Sequence, residues 1–375
     1  MDHRTSRTIV TSVLLICVAS LPSVDAQGTM LALPADCGVE VRWVSPPLDA
    51  DQLWNNGWSG KYENTFRVHF EVDASGQPWF SIRQTDKAPS QILNPLRQYR
   101  FALSHPWQGM VCLDNGASLY YTTHDLGFIG STDEPSVKNG LPILPFQPLV
   151  ALPLLNCRVY SDAHDAIYVV GQSDEGSQEV YLLQPEMLSD GRHRVLRSLR
   201  KVFTASAGNI EAATGDGRTT FISLGQAVAR VTADGQTQPE ILVHPEEIIR
   251  QLAYSPDVGL FYATDDAVGM AGENGAWDFL PVTWSQIALR GDSLYVCRYE
   301  DWGIFALDHI SHLARYAKKG PYTLKVPTKP PLEVNKIEFT AVHEDPNVTY
   351  TTGDDFTRAN LNSVKAKVYL APVQA

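Results

Sequence analysis

Residues Gly109 to Gly130 read GMVCLDNGASLYYTTHDLGFIG. An alternating apolar run carrying Met110 and Cys112 meets a polar turn at Asp114-Asn115-Gly116. A second run, Leu119-Tyr120-Tyr121-Thr122, leads through a polar loop to a third, Gly127-Phe128-Ile129. Asn-Gly beside alternating apolar residues marks a tight hairpin, because such residues accept positive φ at little cost. The stretch therefore predicts three successive antiparallel strands, and the same pattern returns along the chain.

The repeats align on an aromatic in the second strand of each unit: Phe80, Tyr120, Tyr168, Phe221, Phe261, Tyr295 and Tyr350. Successive spacings are 40, 48, 53, 40, 34 and 55 residues. That lies near the ~40–50 residues of a four-stranded propeller blade, whereas the common helical repeats are shorter and need helices this sequence does not offer. Helix signals are confined to a turn at Pro245 to Ile249 and a short helix over His309 to Lys319, with Asp308 as its N-cap.

The expected architecture is all-β, a seven-bladed β-propeller whose last unit is Ile337 to Thr352 with an outer strand at Val364 to Leu370. A propeller must join its last blade to its first, since an open edge strand invites aggregation. Val39 to Val44 is a spare alternating strand at the other terminus, and it is expected to close the final blade. The alternative is six blades with a C-terminal appendage.

Working outward, residues 1–26 read as a secretory signal. Arg4 and Arg7 precede the apolar run Ile9 to Leu21, and Ser23-Val24-Asp25-Ala26 ends in small residues. Residues 27–62 form an irregular N-terminal segment holding the closing strand and a Gly/Asn-rich turn with Trp54 and Trp58. Residues 63–375 are the propeller. The expected location is secreted or periplasmic, and no later segment approaches the ~18 apolar residues of a membrane span.

Four of the five cysteines lie beyond the signal segment: Cys37, Cys112, Cys157 and Cys297. They permit either two disulfides in an oxidising compartment or free thiols buried in strands. The formal net charge of −12 disfavours nucleic acid and anionic membrane as partners. The basic run Arg192, Arg194, Arg197, Arg200, Lys201 is the local exception and reads as a solvated outer strand.

The units carried by GMVCLDNGASLYY (109–121) and IRQLAYSPDVGLFYATDD (249–266) resemble the NHL and SMP-30/gluconolactonase-like propeller superfamily. The resemblance spans most of residues 65 to 355. It implies a propeller fold and, for the SMP-30-like enzymes, a divalent metal held by a Glu, an Asn and an Asp at the channel mouth. No residues of this chain are matched to that trio.

Propeller geometry narrows the search for a site. The loop after each second strand and the segment entering each first strand meet at one end of the central channel. Those positions hold Trp107, His124, Asp125, Arg250, Trp284, Glu300, Asp301 and Trp302, a set suited to binding a glycan or a partner protein. An indole offers a sugar ring a flat apolar face and a donor. Asp265 and Asp266, adjacent carboxylates in one loop, are the metal candidates, with calcium or magnesium as the ions that oxygen donors take. Three functions follow: a binding module for a glycan or protein, an SMP-30-like metal-dependent hydrolase of lactones or sugar derivatives, or an envelope scaffold.

Overall fold

The computed structural model describes residues 31–34, 36–45, 68–73, 75–82, 91–94, 99–103, 107–113, 118–123, 127–131, 136–138, 141–144, 148–151, 154–162, 166–187, 194–205, 208–272, 275–283, 285–298, 303–317, 322–326, 332–343 and 361–372. Strands dominate it. Alternation of apolar and polar residues between Gly- and Asp-rich turns produces consecutive antiparallel hairpins, and these stack into six sheets of four or more strands.

The first sheet runs Val68–Val72, Pro78–Ile82, Gln91–Asn94 and Tyr99–Leu103. A hairpin of Ser136–Lys138 and Leu141–Leu144 is added at its outer edge. The second sheet holds Trp107–Leu113, Ser118–Thr123, Gly127–Ser131 and Pro148–Ala151. The third has Leu155–Ser161, Ile167–Gln172, Gln178–Met187 and Arg194–Thr204. The fourth has Ala212–Gly215, Thr220–Leu224, Ala227–Val231 and Thr237–Val243. The fifth comprises Gln251–Ser255, Gly259–Ala263, Val268–Gly272 and Gly275–Leu280. The sixth takes Gln286–Arg290, Ser293–Cys297 and Ile304–Asp308 from one stretch, and Glu40–Ser45 from the N-terminal segment.

The first strand of each sheet touches the first strand of the next, and that of the sixth touches Val68–Val72 of the first. This arrangement of radial four-stranded sheets is a β-propeller.

The N-terminal strand does pair with a distant sheet, but not the one expected. Glu40–Ser45 lies antiparallel to Ile304–Asp308 rather than beside the unit at 337–352. The physical reason is visible in the pairing. Arg42 forks onto Asp308 at 2.7 and 3.1 Å, and Trp43 meets Phe305 edge to face at 5.5 Å. Arg298 covers the Trp43 ring at 4.9 Å. Val39, Val41 and Trp43 thereby join the apolar cluster built on Phe261, Phe279, Leu294, Phe305 and Leu307.

Leu332–His343 and Leu361–Pro372 instead pair with each other as a two-stranded ribbon. The unit expected as a seventh blade thus shows two strands among the described residues, and its second strand at 348–352 lies outside them.

Other expectations resolve locally. The short helix is a 3-10 turn over Ile310–Arg315, and Asp292 rather than Asp308 serves its start, accepting from the Ser311 N–H at 2.7 Å. Asp308 is already committed to Arg42 and Ser293. At Pro245 to Ile249 the chain bends without forming a helix, and the buried His244 ring accepts the N–H groups of Glu246 and Glu247. Cys37, Cys157 and Cys297 are buried. Burial pushes the Cys157 thiol up to about 12, which leaves it unreactive at neutral pH. Cys112 has no described side chain. Within the basic run, Lys201 pairs with Glu179 at 3.0 Å and Arg200 donates to the Ala233 carbonyl. Among the described residues, no helix is long and apolar enough to cross a membrane.

Asp308 gives the pairing of Glu40–Ser45 a pH dependence. Burial pushes its carboxyl up, but hydrogen bonds from Arg42 and Ser293 outweigh this and leave it below its ordinary value. A depressed carboxylate stabilises the fold above its unfolded value near ~3.9, and this contribution is lost as pH falls through the folded value. The melting-temperature difference between the wild type and Arg42→Ala should therefore be present at neutral pH and vanish in strong acid, once the Asp308 carboxyl is protonated. A difference that persists in strong acid contradicts the assignment.

Candidate functional site

The fifth sheet shows how the mouth is assembled. Its first strand begins at Gln251 and its second ends at Ala263, and these two residues are register partners. Arg250 and Asp265, the residues just beyond, are therefore brought side by side, with the Arg250 N–H donating to the Ala263 carbonyl at 2.8 Å. The Arg250 guanidinium grips Asp265 through Nε at 3.2 Å and Nη2 at 3.3 Å. Its Nη1 lies 3.5 Å from Glu211, which leads into the first strand of the neighbouring fourth sheet. The Asp265 hydrogen bond and charge, with those of Glu211, raise the Arg250 pKa against the effect of burial. The guanidinium and both carboxylates remain 36, 32 and 18 % exposed, so solvent and ligands can reach them.

Asp266 points elsewhere. Its backbone N–H donates to Glu247 at 3.3 Å, which sets the two carboxyls beside each other. The Glu247 hydrogen bond and charge raise the Asp266 pKa. Burial pushes Glu247 up, but hydrogen bonds from Thr264 and Asp266 leave it below its ordinary value. Their opposite shifts mark the two carboxyls as a coupled pair.

The two metal candidates thus sit in different settings: Asp265 lies under a bidentate guanidinium, and Asp266 is in a carboxyl pair. Among the described residues no three His, Cys, Asp or Glu side chains converge as a metal site. His309 and His312 stack at 5.9 Å, and His312 Nδ1 is hydrogen-bonded to the Gly38 carbonyl.

Of the binding candidates, Arg250 lies just before the first strand of the fifth sheet, beside Asp265. Trp107 opens the first strand of the second sheet and is the register partner of Thr123, so its backbone occupies the same end of the hairpin. Its side chain, and His124, Asp125, Trp284, Glu300, Asp301 and Trp302, lie outside the described residues.

The sequence reading missed Glu211 and Glu247. Glu211 joins the site from an adjacent sheet, and Glu247 from an irregular segment with no periodicity to read. It also missed the channel wall. His69, Glu71, Tyr160, Thr214 and Gln251 line a central cavity, each contributed by a first strand. The alternation of His69 and Glu71 with the buried Phe70 and Val72 was the available signal, because an innermost strand turns every second residue toward the channel.

No family model matches the chain, and no curated protein does. Solved structures with a similar fold include virginiamycin B lyase from Staphylococcus aureus, at 11% identity and a TM-score of 0.40 over 72% of this chain and 99% of that one. A putative gluconolactonase is 13% identical with a TM-score of 0.41, over 74% of this chain and 93% of the other. A gluconolactonase from Xanthomonas campestris is 10% identical with a TM-score of 0.43, over 64% and 85%. The likeness is one of fold.

Proposed function

We propose that the chain is an exported, six-bladed propeller, closed by Glu40–Ser45, that binds a glycan or partner protein at the end of the channel where Arg250 lies. The observation that carries this reading is the Glu211–Arg250–Asp265 array beside the Asp266–Glu247 pair. Fixed donors and acceptors lie next to each other on a partly exposed surface, and several are charged. Hydroxyl groups of a sugar, or polar side chains of a protein, can bridge such a set with charge-assisted hydrogen bonds. The tryptophans predicted around the mouth would supply the stacking surface.

The test is a glycan array followed by calorimetry on any hit. Arg250→Ala should weaken binding at least ~10-fold, the loss of about one charge-assisted hydrogen bond, while the melting temperature moves little because the ion pairs are partly exposed. Silence across the array with retained capture of a purified protein partner would select the protein arm. The metal-dependent hydrolase reading makes a different prediction. An ion bound only by the native state raises its melting temperature by mass action, and Asp265→Ala would abolish the rise. No shift with calcium or magnesium would exclude it.

A further inference from the structure

Each first strand runs from the mouth to a tight turn at the opposite end of the channel. Arg290 is the last residue of the first strand in the sixth sheet, so it stands at the turn end. Its Nε donates to the Val72 carbonyl, at the end of the corresponding strand of the first sheet, at 2.7 Å. Its Nη1 donates to the Asp162 carbonyl and its Nη2 to Ser161 Oγ at 3.2 Å, both at the end of the corresponding strand of the third sheet. In a cycle of six sheets the third lies opposite the sixth. The guanidinium therefore spans the channel rather than lining one wall.

The network continues from there. Ser161 Oγ donates to Glu71 Oε1 at 2.9 Å, which ties the third sheet to the first. Glu71 is 6 % exposed and Asp162 3 %, as expected for groups roofed by this crossing. The Asp162 carboxylate faces away, accepting from the Ala166 N–H and the Tyr168 hydroxyl in its own turn.

Beside this crossing, the channel cavity has room for about two waters. Thr214 lines it with no solvent exposure, and its Oγ1 has no hydrogen-bond partner in the protein. A buried hydroxyl without a partner is costly, and a small polar space is where an ordered water satisfies one. The wall supplies further polar groups from His69, Glu71 and Gln251.

We propose that the channel is a blind well: Arg290 seals it at the turn end, and the enclosed space holds ordered water bound to Thr214. Ligands then have access from the Arg250 end alone. The charge balance fits water better than a metal ion, because the Glu71 carboxylate already faces the Arg290–Ser161 crossing. The inference concerns the channel and stands whatever binds at the mouth.

A high-resolution crystal structure and two substitutions test it. The wild type should show a water ~2.8 Å from Thr214 Oγ1. Thr214→Val should lose that water without gaining stability. A dry cavity, an ion or organic density there, or a melting temperature raised by Thr214→Val, overturns the hydration claim. A rise would mean that the hydroxyl was an unsatisfied burden. Arg290→Ala strands two backbone carbonyls, so it should melt roughly 5 °C lower and show solvent running through the channel. Should that variant fail to fold, Arg290→Lys keeps the charge but cannot fork to three acceptors, and it should melt lower too. An unchanged melting temperature in Arg290→Lys, or a still-closed channel in a folded Arg290→Ala, overturns the seal.

Discussion

Deleting residues 27–45 is expected to lower the melting temperature by roughly 10 °C and to promote self-association. The deletion removes Glu40–Ser45, the fourth strand of the sixth sheet. Lost with it are the burial of Val39, Val41 and Trp43 against Phe305 and Leu307, and the Arg42 fork on Asp308. Three half-buried apolar side chains and one partly exposed ion pair amount to about 5 kcal/mol. That is a large fraction of the stability of an ordinary domain, and it converts at roughly 2 °C per kcal/mol in a chain this long. The deletion also bares the edge of Ile304–Asp308, a five-residue strand that is buried over most of its length. A bare apolar edge is a template for pairing with another chain. Scanning calorimetry and size-exclusion chromatography read the two effects, and Trp43→Ala should reproduce a part of the first. If the truncated chain melts within about 2 °C of the parent, the strand is not closing the fold.

That strand shows where sequence reading reached and where it stopped. Its alternation, and its role as a lone strand seeking a partner, were legible in Val39 to Val44. Its partner was not. Ile304–Asp308 is a continuous apolar run and Ile337–Val342 an alternating one, and nothing local tells which one keeps an open edge. The same limit applies to the unit at 337–352, whose second strand lies outside the described residues. A hairpin looks alike in a blade and in a free ribbon, because what separates them is pairing with strands far away in sequence. By contrast, the aromatic anchors Phe80, Tyr168, Phe221, Phe261 and Tyr295 all fall in second strands and are buried, since their environment is set by the hairpin they belong to. The site followed the same rule. Arg250 and Asp265 could be placed together because one hairpin register holds both. Glu211 could not, because it comes from the next sheet. Asp265 and Asp266 read as concentrated negative charge, but a sequence does not display the Arg250 guanidinium that offsets it at Asp265.

The division between carboxylates that build turns and carboxylates that face ligands makes the second large prediction, at Asp73. This residue follows the first strand of the first sheet and is fully buried. Its Oδ1 accepts from the Ser75 N–H at 2.9 Å, the Ser75 hydroxyl at 2.6 Å and the Gln77 N–H at 3.0 Å. Its Oδ2 accepts from Trp79 Nε1 at 2.9 Å, and that indole is 2 % exposed. Asp162 and Asp216 repeat the device in the third and fourth sheets, where Tyr168 links them: its hydroxyl donates to Asp162 and accepts from the Gly217 N–H. Asp73→Ala leaves the Trp79 N–H and two turn amides without their acceptor, at a cost of about 3–4 kcal/mol and a fall of roughly 7 °C in melting temperature. Asp73→Asn should cost about half as much, because an amide oxygen can still serve the turn while its NH₂ group confronts the indole donor. Asp265→Asn at the mouth should stay within about 1 kcal/mol of the wild type, since its partner is partly solvated. The ordering is the test: Asp73→Ala below Asp73→Asn, and both below Asp265→Asn. Were Asp265→Asn the more damaging change, the mouth carboxylate would be a structural strut, and the Arg250 array would lose its standing as a binding surface.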